Sequence, residues 1–108
     1  MKVNVLGTEY TLTETTQEER EELKNADGWC GHYDKEILIE SNPFRGEIGD
    51  FVNAKAALRK VAIRHEITHA FVYESGGQHS DLDHEYCVHW IAVQFPKLLK
   101  AFQDVGAI

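Results

Sequence analysis

From Phe51 to Phe71 the apolar residues recur at intervals of three and four, and this periodicity constrains the chain more than any other stretch. Ala54, Leu58, Val61 and Ala62 step along one stripe, and Val52, Ala56, Ile63, Ile67 and Phe71 along a second. An α-helix buried around most of its circumference is expected. Its punctuation predicts a start near Glu47 or Ile48 and a stop at Ser75-Gly76-Gly77. The first stripe runs into His65 and His69. Residues four apart lie one turn above each other, so the two imidazoles can aim at one point off the helix surface. Two buried imidazoles on adjacent turns are costly without a shared partner, and a divalent cation is the partner that suits them. Glu66 sits about 100° around the axis from His65. Its carboxylate can reach the edge of the coordination sphere without binding, where it can take a proton from water.

The remaining elements can be read in chain order. Val3 to Leu6 and Tyr10 to Thr13 are short β-prone runs around Gly7-Thr8-Glu9, which predicts a hairpin. Thr15 or Thr16, followed three residues later by Glu18 or Glu19, is a capping signal for a solvated helix over Gln17 to Lys24, ended by Asn25-Ala26-Asp27-Gly28. Trp29 to Tyr33 and Glu36 to Glu40 form a second expected hairpin around Asp34-Lys35, with Ile37 and Ile39 on one face and Leu38 on the other. Ser41 to Gly46 reads as a loop. After the double glycine, Ser80 and Asp83 open a helix expected over Asp81 to Gln94, and Pro96 starts or kinks a last one through Leu98, Leu99 and Phe102.

A chain of 108 residues with an ordinary globular composition suggests one domain, residues 1–108. The net charge of −7, from 18 acidic and 11 basic residues, argues against nucleic acid or an anionic membrane as a partner. No signal-peptide core or membrane-spanning run is visible, and a cytoplasmic location is the expectation. Cys30 and Cys87 are widely spaced and are expected to be reduced packing residues.

A hydrolytic zinc site takes three protein ligands and leaves a position for water. On the second helix Asp81, Glu85 and His89 share a stripe, and any of the three can ligate. Glu85 is preferred, because the short Gly-Gly connection lets the second helix fold back and present it.

His65-Glu66-Ile67-Thr68-His69-Ala70, followed by a glutamate on a downstream helix, resembles the gluzincin metallopeptidases, and the short chain is similar to the minimal version called minigluzincin. The run from Glu85 to Pro96 also resembles small metallopeptidases predicted in bacterial and phage genomes. The likeness spans Trp29 to about Pro96. It implies an α+β, zincin-like fold: a small antiparallel sheet on a long His-Glu-x-x-His helix, followed by a glutamate helix. It also implies zinc as cofactor, a peptide or protein substrate, His65, His69 and Glu85 as ligands and Glu66 as general base. The family often has an aspartate four residues after the ligand glutamate, orienting a ligand histidine; this chain has His89 there.

The leading expectation is zinc-dependent peptide hydrolysis. A non-catalytic, metal-stabilised regulatory or phage-associated binding domain is the alternative, and hydrolysis of a non-peptide amide is a third reading. For the oxyanion, His32, Tyr73, His79, His84 and Tyr86 are all chemically able to donate. If a peptide adds to a sheet edge, Glu36 to Glu40 is the expected strand because it precedes the metal helix.

Overall fold

The computed structural model describes residues 1–43 and 52–108. The expected helix start at Glu47 or Ile48, and the Phe44 to Gly46 part of the loop, lie outside the described residues. Strands β1 (Lys2–Val5) and β2 (Thr8–Thr15) form the first hairpin. Leu6 and Gly7 both adopt positive φ, and the Gly7 amide donates to Asn4 Oδ1 at 2.9 Å. Two consecutive left-handed residues match the twist of the flanking strands. The second hairpin joins β3 (Gly28–Gly31) to β4 (Glu36–Glu40).

The sheet order is β1-β2-β4-β3, and β2 pairs with β4 in parallel. The sheet is therefore mixed, where an antiparallel one was expected. Two hairpins were legible locally, but their junction is a pairing between strands distant in sequence. The chain between β2 and β4, which contains β3, is long enough to return in parallel. This order also corrects the expected edge. Strand β4 is interior, and β3 is the edge strand nearer the long helix.

The helix expected over Gln17 to Lys24 is reduced to a single 3-10 turn, Glu21–Leu23. Leu23 is its one fully buried residue. Thr15, a proposed cap, belongs to β2, and its hydroxyl donates to the Glu19 carboxylate instead of accepting from a helix amide. Arg20 is bound to Glu22 and to Glu36 on β4. One apolar anchor in eight residues cannot hold a longer helix against the sheet.

Helix α1 (Val52–Glu74) crosses the sheet. Ala70 is buried against Val5, Tyr10, Leu12, Ile37 and Ile39, with Ala62, Ile63 and Ile67 packed on the same cluster. Ile37 and Ile39 share one face as expected, and that face is the one packed on α1. The second stripe is only partly buried, since Ala56 and Phe71 are exposed. Its end is a Schellman turn: Gly76 at φ +79°, with amide bonds from Gly77 to the Val72 carbonyl and from Gly76 to that of Tyr73.

Helix α2 (Glu85–Asp104) packs along α1 and is continuous, with Pro96 inside it. Two helices were expected there. Residues Asp81–Asp83 form a separate 3-10 turn capped by Ser80, and His84 caps α2 by accepting from the Tyr86 amide. Pro96 lacks the N–H that would bond to the Ala92 carbonyl one turn back. The Arg64 guanidinium of α1 supplies that bond instead, Nε to Ala92 O at 2.6 Å. The proline defect is filled from the neighbouring helix, and the bond ties α1 to α2 beside His65. Among the described residues no helix is long and apolar enough to cross a membrane.

Candidate metal centre

From Leu58 onward the first stripe of α1 lines a cleft, with Ala62 also touching the core. Leu58, Val61, Ala62, His65 and His69 form one wall of a cavity of about 500 Å³; the β3 edge and Glu85 and His89 of α2 form the others. The ligand pair is consequently accessible from solvent, as a working site requires.

Three of its lining side chains converge. His65 Nε2 and His69 Nε2 lie 3.2 Å apart. Glu85 spans both, with one carboxylate oxygen 2.9 Å from His65 Nε2 and the other 2.7 Å from His69 Nε2. All three donor atoms lie within 4.8 Å of one another, so His65, His69 and Glu85 could hold a metal ion. Two imidazole nitrogens and a carboxylate oxygen are a donor set suited to a borderline-soft divalent cation. Asp81 is outside this group, because it sits in the 3-10 turn before α2 and not on its stripe. His89 is outside it too. Its Nδ1 lies 3.4 Å from His65 Nδ1, on the side of that ring turned away from the convergence point. Ligand histidines commonly have such a partner on the second nitrogen.

Glu66 is buried, 8 % exposed, although it borders the cleft. The exposed, ion-paired helix glutamate that its sequence context allows is not what is found. Burial first, and the Glu85 charge second, push its carboxyl from 4.5 up to about 8. Burial likewise lowers the His65 imidazole. The site thus collects groups whose charged forms are poorly solvated, which is characteristic of reactive centres. A bound cation would favour the carboxylate and the neutral rings.

Gly28 explains how Glu66 fits. A Cβ built on Gly28 would lie 2.8 Å from both Cγ and Oε2 of Glu66. The carboxylate therefore occupies the space a side chain on the edge strand would fill. The sequence reading placed Gly28 only as punctuation, and no local pattern could have shown what lay above it.

His32 is half-buried on the cleft wall. Its ring stacks on Tyr73 with centroids 4.3 Å apart and planes within 2°. Trp29 also borders the cleft, whereas Trp90 is largely exposed. Cys30 and Cys87 are free, and neither belongs to the ligand group. His79 and His84 are exposed. Comparison with protein-family models, curated proteins and solved structures finds no match.

Proposed function

We propose that this chain is a zincin-like, zinc-dependent peptidase of the gluzincin type. The observation that carries the reading is the convergence of His65, His69 and Glu85 on one point beside a buried, uncompensated Glu66. A structural zinc site is closed by four protein ligands and gains nothing from such a glutamate. A hydrolytic site needs three ligands, an open position and a nearby proton acceptor.

Zinc bound there would act as a Lewis acid toward a carbonyl and make water acidic enough to lose a proton near neutral pH. Glu66 accepts that proton and later delivers it to the departing amine, serving as base and then acid. A cation bound beside it would hold the Glu66 carboxyl in its ionised form, ready to accept a proton. His89 keeps His65 oriented through Nδ1. Among the described residues β3 is an outer strand of the sheet along the cleft, so an extended peptide can add to it as a further strand. This moves the docking strand from Glu36–Glu40 to Gly28–Gly31.

The test is metal analysis of the purified chain together with cleavage of a peptide library. Glu66→Gln should retain zinc and lose cleavage. If the wild-type chain binds zinc and cleaves no amide, the site serves folding, and the peptidase reading is wrong.

A further inference from the structure

Five side chains are chemically able to donate a hydrogen bond to an oxyanion, and the geometry separates them. His79 is exposed in a left-handed turn, and His84 is engaged as the cap of α2. Tyr86 is largely exposed, and the Tyr73 ring is covered by the His32 ring. His32 alone of the five lines the cleft with His65, Glu66 and His69.

We infer that His32 is the catalytic hydrogen-bond donor to the carbonyl oxygen of the substrate, with Cys30 selecting the ring tautomer that donates. The inference rests on the peptidase reading. Two contacts hold the ring. Its face lies on Tyr73, which fixes the plane. Its Nδ1 lies 3.8 Å from Cys30 Sγ, two residues back on the same chain segment. Burial, reinforced by the nearby Glu66 carboxylate, pushes the Cys30 thiol up to about 12, so the sulfur keeps its proton. Of the two partners, the imidazole nitrogen is the better acceptor and a thiol sulfur a weak one. Cys30 S–H therefore donates to Nδ1, and the ring's own proton resides on Nε2.

Burial first, then the nearby His69, lowers the His32 imidazole and keeps it neutral. No hydrogen-bond partner of Nε2 occurs among the described residues. A neutral N–H, preset in orientation and tautomer, faces no reorganisation when charge develops on a substrate oxygen. The proton stays on Nε2 throughout; His32 donates a hydrogen bond and transfers nothing. Cys30 is a positioning residue in this arrangement.

The test combines a spectroscopic and a kinetic reading on the zinc-loaded chain. Long-range ¹H–¹⁵N spectra should show His32 protonated on Nε2; Cys30→Ser should preserve that state, and Cys30→Ala should mix the tautomers. His32→Phe keeps a ring on Tyr73 without a donor. Its kcat on a peptide taken from the library should fall about 100-fold or more, with KM within a few-fold and zinc content unchanged. His32→Gln, which restores an N–H, should recover part of the loss. A wild-type ring protonated on Nδ1, or a His32→Phe enzyme within threefold of an active wild type, overturns the inference while the peptidase reading stands. A wild-type chain with no amide hydrolysis overturns both.

Discussion

Helix α1 carries two glutamates against the same sheet, about two turns apart, and their surroundings are opposite. Glu74, at the C-terminal end, is answered on every side: Lys35 Nζ at 2.7 Å, the Tyr10 hydroxyl at 2.8 Å and the Thr8 hydroxyl at 3.3 Å. Lys35 in turn lies 4.9 Å from the Tyr73 ring centre. The bonds from Lys35 and Tyr10 hold the Glu74 carboxyl below its usual value. Among the described residues Glu66 has no such cation or donor, and burial pushes it up to about 8. One glutamate is used to latch helix to sheet. The other is kept at an energetic cost, and stability gives no reason to keep it.

The broadest way to break this contrast is to neutralise each glutamate in turn. Glu66→Gln should lower kcat/KM on a cleavable peptide by three orders of magnitude or more, on the order of 4 kcal/mol, with zinc content unchanged. Glu74→Gln should leave kcat/KM within a few-fold and lower the melting temperature. If the two variants lose activity equally, Glu66 is not chemically special.

The pH dependence of stability in the metal-free chain sharpens the contrast, because the two shifts have opposite signs. Glu66 is raised in the folded state, so its proton stabilises the fold at low pH, and that contribution is lost as pH climbs from about 4.5 to about 8. Glu74 is lowered, so its contribution is present above the unfolded carboxylate pKa and lost as pH falls through the folded one. Denaturant titrations should therefore show Glu66→Gln gaining on wild type toward pH 8, by a few kcal/mol at most. Glu74→Gln should lose to wild type at neutral pH, with the gap closing in acid. Parallel curves for both variants would contradict the assigned environments.

A smaller effect is expected at Gly28. Gly28→Ala places a methyl where the Glu66 carboxylate lies, so activity should drop roughly tenfold, about 1.4 kcal/mol, with zinc retained. Shortening the base by Glu66→Asp in that background should not cost activity further; a strictly additive loss would show that the two do not share the space. The smallest effect concerns the tie between the helices. Arg64→Met leaves the Ala92 carbonyl without its donor and should destabilise by roughly 1–3 kcal/mol in denaturant titration.

Much of this was legible from local pattern. The helix holding His65, Glu66 and His69, its Gly-Gly stop, both hairpins and the alternation of Ile37, Leu38 and Ile39 all follow from spacing and turn residues. Two local readings failed for lack of tertiary information. Gln17 to Lys24 lacks apolar anchors and makes only one 3-10 turn, and Pro96 does not divide α2 because a guanidinium on another helix fills its missing bond.

What the sequence determined by itself was a pair of imidazoles one turn apart and a carboxylate beside them, since helical spacing is a property of neighbouring residues. Tertiary structure alone decided which downstream carboxylate meets that pair, that β3 forms the sheet edge at the cleft, that Glu66 lies over a bare glycine, and that His32 and Cys30 turn toward the same space. Those relations join residues on separate elements, and only the packing of α1 between the sheet and α2 sets the distances among them.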